Sequence, residues 1–493
     1  MVTKILSSET KAFFSLVSRA AFANPFSEQR AEIDREISGG PAGASWRDIV
    51  PGAVREVVGH IEKLDADGRV KIQDFRQTDR ELIEDVFLFD VFHQFIKQFD
   101  QIIIDQIDNG DEPVRVPFAK EALSALIGRG FSRQLANRYF SMFYQIRRAF
   151  YFINRGLIGE CRSMRRLRMN LWNNIFTHDI RYYERYLWDK MEDFSTLLLG
   201  PTGCGKGAAA AAIGRSGFIP FDEKKQTFAE SFTKTFISVN LSQYPETLLE
   251  SELFGHTKGA FTGAVESHEG LFALCGPHGA IFLDEIGDVN PQVQIKLLQI
   301  LEERIFSPVG SHKKLKFHGR VIAATNRSID QLREKGTFRD DFYYRLCSDC
   351  IVVPSLQQRI QENPGELDEL IAYTVERITG HRAKELTKAV KEVINKNLGK
   401  DYHWPGNVRE LAQCIRRVII KRHYEGDNAA AGEDFKSKLF SGIESGELNA
   451  QDVLAVYCSS LYEKYGTYEQ VARVSQLDRR TVKKYIQRYL GEN

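Results

Sequence analysis

Eight residues constrain this chain more than any others. Gly200-Pro201-Thr202-Gly203-Cys204-Gly205-Lys206-Gly207 follow a short apolar run, Thr196–Leu199, and precede an alanine-rich run, Ala208–Ile213. Strand, glycine loop, then helix is the context that makes such a segment a phosphate-binding loop. Its glycines let backbone N–H groups converge on phosphate oxygens, and the helix N-terminus adds roughly half a positive charge. Lys206 neutralises the outer phosphates. The position after the lysine, where a hydroxyl would ligate magnesium directly, holds Gly207. A metal here must rely on phosphates, water and a carboxylate from elsewhere.

That carboxylate is supplied downstream. Ala280-Ile281-Phe282-Leu283 is an apolar strand ending in Asp284-Glu285. Hard cations take oxygen ligands, so Asp284 suits Mg²⁺ through water. Glu285 suits polarising an attacking water. Further short apolar runs at Phe236–Val239, Arg320–Ala324 and Cys350–Val353 read as buried parallel strands, so the chain is expected to fold as an open α/β sheet with helices on both faces. Thr325-Asn326 close one of these runs with polar groups that can reach a terminal phosphate. Arg339 and Arg345 flank Asp340-Asp341-Phe342-Tyr343-Tyr344. Each arginine alone reads as a surface ion-pair partner; in a ring ATPase both are candidates for a neighbour's nucleotide.

Between loop and carboxylates lies Gly259-Ala260-Phe261-Thr262-Gly263-Ala264. Small residues around one aromatic make a poor core segment, and glycine at both ends permits a tight turn. Phe261 either folds back into the core or stands at the tip and touches another molecule.

The flanks are less explicit. Residues 1–154 read as mainly helical, with long candidates at Glu81–Ile104 and Phe131–Asn154 and a loop between them. No strand–helix alternation supports a phospho-acceptor receiver there. Residues 361–425 read as a helical lid and 426–449 as a linker. At 450–493, Thr467 and Gln470 form a capping box, and Asp478 caps a last helix. Val471, Val474, Leu477, Val482, Ile486 and Leu490 give it one apolar face. Arg479, Arg480, Thr481, Lys483 and Lys484 sit early in that last helix, as a helix-turn-helix reader of the major groove would place them. The bland alternative is a solvated basic helix. With a formal net charge of +1, any nucleic-acid surface must be local rather than global. No apolar run approaches a membrane span, the N-terminus lacks an uninterrupted signal-like stretch, and seven scattered cysteines suit a reducing cytoplasm. Cys347-Ser348-Asp349-Cys350 is a single CxxC with no second pair nearby.

Taken together, these residues resemble the AAA+ domain of the sigma-54-dependent transcription activators. The likeness runs in order through Leu157-Ile158-Gly159 with Met164-Arg165, the phosphate loop, Glu250–His256 leading into the intact Gly259–Ala264 hexapeptide, Gly279–Ile286, Val321–Arg327, Phe338–Leu346 and Trp404–Leu411. It covers about 155–425. The resemblance implies an α/β subdomain at 155–360, a lid at 361–425 that contributes Arg409 to the nucleotide, and a C-terminal DNA-binding unit. It implies ATP and Mg²⁺, with Asn240 coupling Glu285 to nucleotide state. Gly259, Ala260, Phe261, Thr262, Gly263 and Ala264 would contact sigma-54. A homo-oligomeric ring, typically a hexamer, would convert the closed promoter complex of sigma-54 RNA polymerase to the open one. Residues 1–154 would gate ring assembly through a ligand or partner.

Two stretches depart from the family pattern: an aromatic–basic insert at Trp172–Trp188 and an expansion at Gly214–Thr235. Pro354–Arg359 matches only loosely. Gly207 and the two inserts are the best support for a second reading, a DNA-binding regulator that uses ATP structurally. A third is an AAA+ remodeller of another target.

Overall fold

The computed structural model describes residues 4–41, 46–66, 68–399, 402–426 and 449–490. The linker expected at 426–449 lies almost wholly outside them. The described chain forms two compact units, one of 1–387 with 406–415, the other of 388–405 with 416–493.

The first unit is built on five parallel strands: β1 Thr196–Leu199, β2 Phe236–Asn240, β3 Ala280–Asp284, β4 Arg320–Thr325 and β5 Asp349–Val352, in the order β2-β3-β4-β1-β5. The five runs expected from the sequence are these five strands. Alternation along each strand feeds two cores. Leu198, Phe282, Ile322 and Ala324 face one side. Leu197, Ile281, Leu283, Val321 and Ala323 face the other, against Leu253, Val293 and Phe342. Both faces are covered, which is why the strands read as unbroken apolar runs.

The helices before the sheet are α1 Ser8–Phe22, α2 Glu28–Ser38, α3 Trp46–Leu64, α4 Gln77–Gln94, α5 Ile96–Asn109, α6 Ala119–Gly128, α7 Arg133–Gly156 and α8 Arg162–Phe176. The stretch expected as one helix at Glu81–Ile104 is two, α4 and α5, parted at Phe95 (φ −106°, ψ 8°). No glycine or proline marks the break. The turn brings both Phe95 and Phe99 onto Phe118, at ring distances of 5.8 and 5.0 Å. α7 starts where Ser132 caps it by accepting the N–H of Leu135.

One apolar cluster runs unbroken from Phe14 and Phe87, through Phe140 and Tyr144, to Leu198 and Phe282 of the sheet. The expansion at 214–235 forms a small hairpin, Phe221–Asp222 with Thr227–Phe228. It plugs into α7: Tyr144 stacks on Phe228 at 3.7 Å, and Phe140 meets Phe221 at 5.0 Å. The eight helices and the sheet therefore share a core across residue 154.

In the second unit, three helices, Ala450–Tyr465, Tyr468–Ser475 and Arg479–Leu490, close around Cys458, Val471, Val482 and Ile486.

Candidate functional site

After β1 the chain turns through Gly200, Gly203 and Gly205, with φ of +155°, +77° and +114°. The two lower values lie where side chains are strained. Close approach matters as much. A Cβ on Gly200 would sit 2.6 Å from the Val353 carbonyl, and one on Gly203 would sit 2.4 Å from the Gly406 carbonyl. Helix α9, Lys206–Gly214, then opens at the loop. Lys206 is buried, and its ammonium donates to the carbonyls of Gly200 at 2.8 Å and Pro201 at 3.2 Å. Those are bonds a phosphate oxygen can replace.

Asp284 ends β3 between Asn240 of β2 and Ala324 of β4. Glu285 follows in the left-handed region (φ 59°, ψ 45°), a conformation that costs a non-glycine residue on the order of 1 kcal/mol and recurs at functional sites. Asn326 joins the two halves of the site. Its backbone N–H reaches Glu285 Oε2 at 3.4 Å, and its side-chain amide donates to Thr202 Oγ1 at 2.7 Å. Sequence-expected Thr202, Glu285 and Asn326 thus meet. Asn240 lies beside Asp284, but its Oδ1 accepts from the backbone and hydroxyl of Ser242 at 3.0 and 2.7 Å, so its bonds are local.

Oxygen donors fit a magnesium ion better than a softer metal. Asp284 supplies one carboxylate at the strand end, and magnesium characteristically completes its shell with phosphate and water. Among the described residues no group of three His, Cys, Asp or Glu side chains is placed to hold a metal by itself.

Two contributors escaped the sequence reading. Asn407 is buried with φ 54°. Its amide donates to the Thr202 carbonyl at 3.0 Å and accepts the Leu356 N–H at 2.8 Å. Arg409 N–H reaches the Gly203 carbonyl at 3.3 Å, and the Arg409 side chain is exposed. The second is the buried pair Arg359–Glu366, 2.7 Å apart. Glu366 also accepts the Cys161 N–H at 2.7 Å, which pins the 157–161 entry segment. The loosely matching Pro354–Arg359 segment therefore carries a key anchor. A lone Arg and a lone Glu gave no signal that they would meet.

The two arginines part company. Arg339 is exposed and pairs with Asp341 at 2.6 Å. Arg345 turns inward to the Leu301 carbonyl at 2.9 Å.

The hexapeptide is a closed turn. Gly259 N–H bonds to Ala264 O at 2.8 Å, and Ala264 N–H to Phe261 O at 3.0 Å. Gly259 and Gly263 take φ of +79° and +104°, with open space where a Cβ would be. Ala264 is buried, whereas Phe261 is 37% exposed, with the edge of His256 at 4.9 Å. Phe261 does not fold back into the core. His256 belongs to the stem, where it pairs with the backbone of His268 and where Thr257 N–H meets Val309 O at 3.1 Å.

In the second unit, Thr467 accepts the Gln470 N–H at 3.4 Å. Asp478 accepts those of Arg480 and Thr481 at 2.9 and 3.0 Å. Arg479, Arg480, Lys483 and Lys484 are exposed and Thr481 is half-buried. Val474, expected on the apolar face, is instead 45% exposed, while Val471, one turn earlier in the same helix, is the residue that faces the small core.

A cavity of about 430 Å³ lies away from this site. It opens where β3 and β4 begin, lined by Gln145, Tyr183, Trp188, Ser216, Phe218 and His278 among others. Its fixed cation, Arg320, gives its donors to Phe194 O, Asn174 and Thr196 Oγ1. The loop Gly200–Gly207 lies at the other end of α9.

The Sigma-54 interaction domain family matches residues 181–351, and the AAA+ ATPase lid domain family matches 361–449. The chain belongs to the sigma-54-dependent activators. Its AAA+ part is 40% identical over 226 residues to the Nif-specific regulatory protein of Azotobacter vinelandii, covering 46% of this chain and 40% of that one. It is 35% identical over 263 residues to the transcriptional regulatory protein GlrR of Escherichia coli K12, covering 51% and 55%. An uncharacterized protein in the HyuA 5' region of a Pseudomonas strain is 39% identical over 228 residues and is covered to 71%. The chain spans about half the length of the first curated relatives it matches. A crystal structure of NtrX from Brucella abortus in complex with ADP overlaps 76% of this chain and 80% of its own, at 19% identity and a TM-score of 0.41, too low to bear on function. Among the described residues, no helix is long and apolar enough to cross a membrane.

Proposed function

We propose that this protein is a cytoplasmic, ATP-hydrolysing transcription activator. It binds upstream DNA through Arg479, Arg480, Thr481, Lys483 and Lys484, assembles as a homo-oligomeric ring, and remodels the sigma-54 RNA polymerase closed complex through Gly259–Ala264. One observation carries the reading: an intact Gly259–Ala264 turn that holds Phe261 out of the core, in the same compact unit as the phosphate loop.

ATP is held by the backbone of Gly200–Gly207 and by Lys206, with Arg409 presented from the lid. Asp284 would hold Mg²⁺, which supplies charge neutralisation on the phosphates. Glu285 orients the attacking water, and Asn326 ties Glu285 to the loop through Thr202. Arg339, exposed at the head of its helix, is the better placed of the two arginines to reach a neighbouring subunit's nucleotide. Arg345 supports the helix from within.

In-vitro transcription from a sigma-54 promoter tests this. The full chain with ATP should yield open complexes, and a non-hydrolysable analogue should not. Phosphate release without any open complex would sink the sigma-54 reading. Absence of both would favour ATP as a structural ligand, the reading that Gly207 keeps in view.

A further inference from the structure

Helix α9 has two ends. Its N-terminus carries the phosphate loop, and its C-terminus meets α7, a helix from the region before the ATPase domain. Three successive carbonyls follow α9 at that end, those of Arg215, Ser216 and Gly217. Arg148 of α7 donates to Arg215 O at 2.7 Å and to Gly217 O at 2.6 Å. Gln145, one turn earlier, donates to Ser216 O at 2.9 Å and exchanges hydrogen bonds with the Tyr183 hydroxyl. Arg148 and Tyr183 have no exposed surface. The guanidinium lies 4.4 Å over Tyr144 and 5.7 Å from Phe232. Burial pulls it down to about 10, so it remains charged at neutral pH.

This arrangement is unusual in its partners. The described ion pairs include none for Arg148, so the buried cation is compensated by carbonyls and ring faces. A helix C-terminus carries about half a negative charge, so a cation fixed there is favourably placed. Bonds from a charged donor are stronger than neutral ones. Both departures from the family pattern take part: Tyr183 comes from the Trp172–Trp188 insert, and Phe232 and the three carbonyls come from the Gly214–Thr235 expansion.

We propose that Arg148 and Gln145 are positioning residues for the nucleotide site, clamping the far end of α9 so that its N-terminus presents the phosphate loop in a binding geometry. The clamp rests on the reading of Gly200–Gly207 as the nucleotide site. α9 is only nine residues long, so its seat depends on its buried apolar face (Ala209, Ala210, Ile213) together with what holds the carbonyls that follow its last turn. A change in how α7 packs thereby reaches the phosphates through one short rigid helix. This gives residues 1–154 a route to license nucleotide binding rather than merely to block it.

The test uses the full chain and a fluorescent ATP analogue, without DNA or polymerase. Arg148→Lys keeps the cation but loses the two-pronged bond. It should weaken nucleotide affinity about tenfold, the worth of a charged hydrogen bond. The KM for ATP should rise in step while kcat stays within about twofold. Gln145→Ala should weaken affinity by about threefold. A purely structural role would lower the melting temperature and the active fraction while leaving Kd and KM of the folded protein unchanged. That outcome in Arg148→Lys overturns the proposal. Should Arg148→Lys fail to fold, Gln145→Ala decides by the same criterion. A wild-type chain that binds no nucleotide overturns the nucleotide reading and the clamp with it.

Discussion

The two ends of α9 are held in opposite ways. At the phosphate end, glycines, exposed threonine and asparagine, and single hydrogen bonds of 2.7–3.4 Å leave room for a ligand. At the far end, Arg148, Tyr144, Tyr183, Phe228 and Phe232 are fully or almost fully buried and interlocked. One end is built to exchange partners and the other to keep them. Changes at the first should alter chemistry with little effect on folding. Changes at the second should alter folding or grip with little effect on the chemical step.

Glu285→Ala sharpens that contrast most. Turnover should fall by about 10²–10⁴, the usual worth of a general base, while nucleotide still binds and the melting temperature holds. A phosphate-release assay beside a binding titration reads both, and unchanged turnover would remove Glu285 from its role. At the far end, Phe228→Ala deletes the ring stacked on Tyr144 and should cost about 3–5 kcal/mol of stability in a denaturant titration. A loss below about 1 kcal/mol would mean the hairpin is an ornament on α7 rather than part of its core. Gly203→Ala is the milder probe of the phosphate end. The added methyl meets the Gly406 carbonyl at 2.4 Å in a left-handed residue, so nucleotide affinity should drop about tenfold with a stability cost of about 1–2 kcal/mol.

The same contrast explains what the sequence disclosed. The phosphate end was legible because its chemistry needs particular residues at particular spacings: Gly200–Gly207, Asp284-Glu285 and Asn326 announce themselves. The five strands were legible because burial on both faces leaves continuous apolar runs. The far end was not. Arg148 reads as one more basic residue in an aromatic helix, and nothing local tells it that two carbonyls wait 67 and 69 residues away. The break at Phe95 has no glycine or proline and exists only because Phe118 is there to be met. Asn407, Arg359 and Glu366 gain their meaning from neighbours far along the chain. The inserts at 172–188 and 214–235 looked like defects in a family pattern; they are the pieces through which α7 reaches α9.

Cys347 and Cys350 stay outside both ends. The neighbouring Cys350 holds the Cys347 thiol below its usual range; Cys347 closes the helix that carries Arg345, and Cys350 lies in β5.

The account stands most directly on the Gly259–Ala264 turn, and Phe261→Ala tests it in one experiment. ATPase activity and open-complex formation are measured on the same preparation at a sigma-54 promoter. Hydrolysis should remain within about twofold of wild type, because Phe261 sits in the Gly259–Ala264 turn against the edge of His256, outside the phosphate loop and the Asp284-Glu285 strand end. Open-complex formation should fall to background. Full open-complex formation by the Phe261→Ala protein would contradict the claim that this exposed ring is where the energy of hydrolysis is delivered.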